Sequence, residues 1–324
     1  MSDYVPFEIQ IEIMSRLPVK SLIQFTSVSK TWRSLINSSK FIGDYTKLHS
    51  QRQHLLLRYY YPLHAKHNSF VSIVDDDTFP ENKLFLASYD YREVRRYPTL
   101  VGSSHGLFCF VGHSDSNKSA MLMDVAVIWN PSIRKTVTIR LQKGFGYNET
   151  VGCGVCPNTL EPKIVRLYKD NYNAEVFTLS SMMWRCLPSS NIMLSKKIYI
   201  ISFIQSNVVI DGFIYWLAYV RSGPFIIVLF DLSMEEFMEI HLPDELGLSR
   251  LSDDYINLEI FKLRESLTVI RYEGKARENV YEVWKMEING VTRSFTKLFN
   301  INGPNLLLRS VVLIAYWPSI SSTE

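Results

Sequence analysis

Apolar residues recur at helical spacing through the first 40 or so positions of the chain, and beyond about position 50 they recur in short runs at strand spacing. Ile9, Ile13 and Leu17 fall at i, i+4 and i+8, an amphipathic stripe, although Phe7, Ile9, Ile11 and Ile13 also alternate as a strand would. The flanking residues break the tie. Pro6 suits a first helical turn, Glu8 and Glu12 sit toward the positive end, Arg16 sits toward the negative end, and Pro18 stops propagation. The pattern predicts a helix over residues 6–16 and, after an extended Leu17, a second over residues 20–25. Ser29 can cap a third, with Val28, Trp32, Leu35 and Ile36 on one face and Lys30, Arg33 and Asn37 on the other. Three such helices are a small core, of the kind that is completed on a partner. The same stripes serve equally well as the core of a helical cap packed on the rest of the chain.

Residues 55–61 and 70–74 read as strands, with turns at 62–68 and at Asp75-Asp76-Asp77. A boundary therefore falls between residues 44 and 53, dividing the chain into a helical part, 1–46, and a β part, 47–324. The β part repeats a pair of strands four times. Gly106-Leu107-Phe108-Cys109-Phe110 leads to Val127-Ile128-Trp129-Asn130, and Lys163-Ile164-Val165-Arg166-Leu167 leads to Val176-Phe177-Thr178-Leu179. Gly212-Phe213-Ile214-Tyr215-Trp216 leads to Val228-Leu229-Phe230-Asp231, and Ser266-Leu267-Thr268-Val269-Ile270 leads to Val283-Trp284-Lys285-Met286. The last three pairs are followed by closing strands at Trp184-Arg185-Cys186-Leu187, Phe237-Met238-Glu239-Ile240 and Phe295-Thr296-Lys297-Leu298. A period of roughly 50 residues is that of kelch-like propeller blades, since one small sheet cannot bury both faces alone. The irregular period leaves a two-sheet β structure open.

Composition narrows the partners. The 324 residues are 47% hydrophobic and 21% charged, and 35 basic against 32 acidic residues give a net charge of +3. That is far from the basic excess suited to nucleic acid or anionic lipid. No apolar run reaches transmembrane length, and residues 225–230 are strand length, so no membrane partner is expected. The first residues carry no signal-peptide core, and four scattered cysteines fit a reducing compartment, so a cytoplasmic or nuclear location is expected.

Candidate chemistry is sparse. Gly102-Ser103-Ser104-His105-Gly106 spells a nucleophile elbow, but an elbow needs a helix after the serine and here a strand follows. Cys153-x-x-Cys156 has metal-ligand spacing without a second pair, so it reads as two thiols in a turn, and Gly152 and Gly154 read as turn glycines. His64-x-x-His67 reads as a solvated loop, and Asp75-Asp76-Asp77 lacks calcium-loop spacing. No catalytic residue, metal or cofactor is expected. Aromatic runs at residues 59–61 and 89–97 are candidates for contact with a protein target.

The ordered run from Val5-Pro6 through Arg16-Leu17-Pro18-Val19-Lys20-Ser21-Leu22 to Val28-Ser29-Lys30-Thr31-Trp32-Arg33-Ser34-Leu35-Ile36 resembles a plant F-box, with Ser27 in place of a common cysteine. The β part resembles the F-box-associated, kelch-related domain. Its marks here are Trp129-Asn130-Pro131-Ser132, Gly144-Phe145-Gly146-Tyr147, Glu175-Val176-Phe177-Thr178-Leu179, Phe230-Asp231-Leu232 and Thr296-Lys297-Leu298-Phe299. The resemblance implies a three-helix F-box followed by a propeller-type domain of about five to six blades, the last short or incomplete. It implies a non-catalytic substrate receptor of an SCF ubiquitin ligase, joined through a Skp-type adaptor to the cullin scaffold and holding an unidentified target protein. Pro6, Ile9, Ile13, Leu17, Pro18, Leu22, Val28 and Trp32 would form or hold the adaptor-docking face.

Overall fold

In the computed structural model the N-terminal region is helical, as the apolar spacing predicts. Helix α1 (Phe7–Ser15) starts after Pro6 and α2 (Val19–Phe25) starts after Pro18, each proline sitting at the cap where a missing N–H costs nothing. In α3 (Lys30–Ile36) the Ser29 hydroxyl accepts from the Trp32 backbone N–H at 3.3 Å, the expected N-cap. A fourth helix, α4 (Ser39–His49), corrects the expectation of three. Ser38 caps it by accepting from the Phe41 N–H at 3.3 Å. Phe41 and Tyr45, one turn apart, then join Met14, Val19, Leu22 and Ile36 in the helical core. Three helices alone lack those two aromatic rings.

The structure describes residues 5–49, 54–60, 68–74, 85–86, 96–115, 122–130, 135–141, 149–168, 173–194, 198–200, 207–220, 224–247, 256–263, 265–275, 278–290, 292–303 and 312–316. The expected turns at 62–67 and 75–77, His64-x-x-His67, and the aromatic run at 89–95 lie outside them. The chain divides into two compact units. One holds residues 1–98, 105–142 and 309–324, and the other 99–104 and 143–308.

The rest of the chain is β. The strands are β1 (His54–Tyr60), β2 (Asn68–Val74) and β3 (Phe85–Leu86), then β4 (Arg96–Ser104), β5 (Leu107–Asp115), β6 (Leu122–Asn130) and β7 (Lys135–Arg140). There follow β8 (Glu149–Val155), β9 (Pro162–Tyr168), β10 (Ala174–Thr178) and β11 (Met183–Cys186). Next come β12 (Ile198–Ile200), β13 (Asn207–Ile210), β14 (Phe213–Val220), β15 (Phe225–Asp231) and β16 (Glu236–His241). The last group is β17 (Ile256–Leu263), β18 (Ser266–Lys275), β19 (Glu278–Asn289) and β20 (Thr292–Gly303), with β21 (Val312–Tyr316) after it.

These strands make five sheets among the described residues, in the orders β4-β5-β6-β7, β11-β10-β9-β8, β12-β14-β15-β16 with β13 also on β14, β17-β18-β19-β20, and β21-β1-β2-β3. Every strand pair predicted from the repeat is present. The C-terminal strand corrects one expectation: β21 pairs antiparallel with β1, Leu313 opposite Leu57, and so completes the first sheet rather than forming a short last one.

The second unit shows why its strands are apolar without interruption. Ile214, Trp216 and Ala218 of β14 and Ile226, Val228 and Phe230 of β15 pack into one core, with Val165, Leu167 and Val176. Their alternates Tyr215, Leu217, Phe225, Ile227 and Leu229 pack into a second core, with Leu258, Ile260, Leu267 and Val269. Period-two side chains thus meet apolar neighbours on both faces. Within one sheet the gradient is steep: β8 is buried throughout, whereas β11 is largely exposed.

Gly152 and Gly154 are not turn glycines. Both lie inside β8, where a side-chain carbon would sit 2.4 Å from the Trp216 ring and 2.6 Å from a Leu232 methyl. Cys153 lies in that strand too, and only Cys156 opens a turn, with its carbonyl accepting from the Leu160 N–H at 2.8 Å. Close approach extends to β4: a side-chain carbon at Gly102 would lie 1.9 Å from the Cys153 carbonyl oxygen. Asn207 stitches the same strands, its amide donating to the carbonyls of Val101 at 2.6 Å and Val151 at 3.1 Å.

Gly102→Ala sets a methyl against backbone, which only backbone movement relieves. We expect a loss of at least ~1–3 kcal/mol, read as a lower urea midpoint. Gly290→Ala is the control, since nothing lies within 4 Å of the added carbon and only the positive φ of 65° is penalised, at about 1 kcal/mol. Equal midpoints for the two variants would contradict the close approach.

Candidate functional site

The helical region leaves an unusual amount of apolar surface in water. Ile9 and Ile13 are 50% and 51% exposed and Val28 is 64% exposed. The inward face of α1 is instead formed by Ile11 and Met14, about 100° or more around the helix from the Ile9 and Ile13 side chains. The predicted stripe is real but faces outward. Burying an isoleucine is worth roughly 1.5–3 kcal/mol, so two left exposed on adjacent turns forgo a stabilisation that a partner could restore.

The eight candidate docking residues divide accordingly. Pro6, Ile9, Ile13, Pro18 and Val28 are exposed, Leu17 and Trp32 are half-buried, and Leu22 is fully buried. Leu22 therefore holds the helices together and presents nothing. Trp32 packs on Phe25 with ring centroids 5.3 Å apart, and its indole N–H donates to the Gln10 side-chain oxygen at 2.9 Å. Tyr45 donates its hydroxyl to the Leu17 carbonyl at 2.8 Å, fixing the elbow before Pro18, and burial pushes its pKa up to about 12. Gln10 and Tyr45 were not foreseen as contributors. The signal for Tyr45 was Ser38 followed by Phe41 and Tyr45 at helical spacing; Gln10 carried none.

In the β part the elbow spelling is a hairpin. His105 and Gly106, at φ 50° and 74°, form the two-residue turn between β4 and β5, and Asp211 and Gly212, at 48° and 82°, repeat it between β13 and β14. Ser104 ends a strand and another strand follows, so the helix start that exposes an elbow serine is replaced by a sheet. Among the described residues no three of His, Cys, Asp and Glu converge as metal ligands. Cys153 and Cys156 are both buried. Burial would raise the Cys156 thiol, but hydrogen bonds from the Thr159 side chain, the Thr159 and Asn158 backbone and the Ser233 side chain outweigh it and hold the pKa below the usual thiol range.

Charged side chains in the second unit form closed sets. Arg166, 1% exposed, pairs with the buried Glu149. Leaving either charge alone would cost ~3–5 kcal/mol, so the two have a structural role. Lys163 donates to the Leu232 carbonyl and to Glu235, each at 2.8 Å, and Arg185 reaches the other Glu235 oxygen. Burial alone would raise the Glu235 carboxyl; the hydrogen bonds and charges of Arg185 and Lys163 prevail and hold it below the usual carboxylate range. Glu282 is likewise held low, the bonds from Lys297, Arg271 and Trp284 outweighing its burial.

A cleft of ≈ 460 Å³ opens where the β13–β14 turn meets the ends of β18 and β19. Phe213, Leu267 and Met286 line it with Asp211, Lys285 and Glu287. Its lining mixes apolar wall with charges of both signs.

Comparison with known proteins draws the two regions together. The F-box domain matches residues 5–42, and the F-box associated beta propeller domain matches residues 105–319, more than half of the chain. The chain belongs to the F-box associated beta propeller family. An F-box/kelch-repeat protein of Arabidopsis thaliana is 26% identical, covering 92% of this chain and 80% of its own. An F-box protein of the same plant is 26% identical over 96% of this chain and 74% of its own. Among solved structures, the SapL1 lectin is 12% identical and covers 82% of this chain and 85% of its own at a TM-score of 0.40, a likeness on which no argument rests. As a member of this family the protein combines an F-box with an F-box-associated β domain, an architecture consistent with substrate recognition in a ubiquitin ligase complex.

The depressed Glu235 carboxyl gives the second unit an acid limit. Its contribution is complete above the ordinary glutamate range, about pH 4, and is lost as pH falls through the lower folded value. Glu235→Gln should reduce stability at neutral pH and flatten the acid branch of a melting-temperature profile. A variant with an unchanged acid slope would show that the Lys163 and Arg185 contacts contribute nothing.

Proposed function

We propose that this protein is the substrate-recognition subunit of an SCF-type E3 ubiquitin ligase. The observation that carries the reading is the outward Ile9 and Ile13 stripe, set on a helical region whose own core is already filled by Met14, Leu22, Ile36, Phe41 and Tyr45. Such surface is costly in water and suits a permanent partner. In this reading Pro6, Ile9, Ile13, Leu17, Pro18 and Val28 face the Skp-type adaptor, Trp32 and Leu22 support them, and the adaptor joins the chain to the cullin scaffold.

The β domain, built from antiparallel sheets of the F-box-associated type, holds a target protein, and the cleft beside Phe213 and Met286 is a recess for it. Catalysis then belongs to another subunit. The chain acts by raising the effective concentration of target lysines at a ubiquitin thioester, for which it needs no nucleophile of its own. The cytoplasm or nucleus is the compartment this reading requires.

Purification of the full chain with a Skp-type adaptor tests it. Wild type should capture the adaptor, and Ile9→Asp with Ile13→Asp should weaken capture by at least about 30-fold while leaving the melting temperature near wild type, because both side chains are already half in water. Equal capture by the folded double variant would sink the docking face. A wild-type chain that ignores the adaptor would instead favour a protein-binding β module that uses its F-box in some other assembly.

A further inference from the structure

Gln10 sits on the shoulder of α1, about 60° around the helix from Ile13 and about 40° from the buried Met14. Both ends of its amide are used. The oxygen accepts from the Trp32 indole N–H at 2.9 Å, and the nitrogen donates to the Val5 carbonyl at 2.7 Å. Only one amide orientation satisfies both contacts, since an indole N–H can only donate and a carbonyl can only accept.

The first bond ties the outer flank of α1 to α3, and the second pins the chain where it enters α1 at Val5 and Pro6. Val5 is itself 44% exposed, so the amide holds the backbone at one end of the apolar surface formed by Val5, Ile9 and Ile13. The inward contacts of Ile11 and Met14 are apolar and non-directional, and they tolerate small rotations of the helix about its axis. A hydrogen bond loses strength steeply with angle. The Trp32 bond is thus a directional restraint on how far round the exposed stripe points.

We propose that Gln10 is a positioning residue for adaptor docking: linked to Trp32 and Val5, it sets the rotation of α1 and the entry of the chain so that Val5, Ile9 and Ile13 present one preformed surface. The inference rests on the docking reading above. Trp32 then contributes to docking chiefly through Gln10, which explains a half-buried tryptophan whose polar edge is spent within the helical region.

The test measures adaptor affinity for the full chain, at a temperature far below melting so that the unfolded fraction is negligible. Gln10→Leu keeps the size of the side chain and removes both bonds; Trp32→Phe keeps an aromatic ring on Phe25 and removes one. Loss of a directional bond of this kind should raise Kd about 3- to 10-fold for Gln10→Leu, and the double variant should be no weaker than Gln10→Leu alone, because both changes break the same link. A purely structural role would lower the melting temperature and leave this low-temperature Kd unchanged, which overturns the proposal. Additive losses overturn it too, by showing that Trp32 acts on the adaptor independently. Failure of the docking reading looks different: wild type does not bind, or Ile9→Asp with Ile13→Asp binds as well as wild type. If those controls behave as expected and Gln10→Leu binds like wild type, the positioning role alone falls.

Discussion

Trp216 fills the space that a side chain at position 152 would occupy, and much of the second unit follows from that contact. Its ring stacks toward Phe237, with centroids 6.1 Å apart, in the core that also holds Ile214, Val228 and Phe230. Gly152 and Gly154 let β8 approach that core, and Gly102 lets β4 approach β8. Packing this close leaves no room for water, so the polar groups it encloses must be satisfied internally. Asn207 does this for two carbonyls, and Arg166 with Glu149 does it for two charges. The Trp216 indole N–H finds no acceptor among the described residues. Its cost, ~1–3 kcal/mol, is set against a ring buried on both faces.

The helical region follows the opposite rule. A small core is closed by side chains from four helices, and α4 contributes two aromatic rings to it. What remains outside is apolar and arranged on successive turns of α1. Exposure of Ile9 and Ile13 would be a defect in a free-standing domain; on a docking element it is the surface that a partner covers. The buried Met14 and the exposed Ile9 and Ile13 therefore lie on different faces of the same nine-residue helix, and the polar shoulder between them holds Gln10.

Many elements were readable from local pattern because local chemistry determines them. Pro6, Pro18 and Ser29 mark helix starts through their own chemistry, and the paired apolar runs from Gly106 to Met286 become strands because they are short, rich in β-branched and aromatic residues and bounded by turns. Where local pattern misled, a distant residue had decided the outcome. Gly152 and Gly154 resemble turn glycines until Trp216 and Leu232 are set beside them. The segment after residue 303 resembles an unfinished blade until β21 meets β1, some 250 positions earlier in the chain. The fourth helix carries a local start signal in Ser38, but the role of its Tyr45 is set by the Leu17 carbonyl, 28 residues away.

The sequence by itself determined the helical start, the repeated strand pairs and the apolar stripe of α1, since spacing and capping are properties of neighbours along the chain. Only the tertiary structure decided which way that stripe faces. Ile9 and Met14 are equally apolar on paper, and helical periodicity cannot tell the side that meets a core from the side that awaits one. The choice is made by Val19, Leu22, Ile36, Phe41 and Tyr45, which claim Met14 and leave Ile9 and Ile13 to solvent.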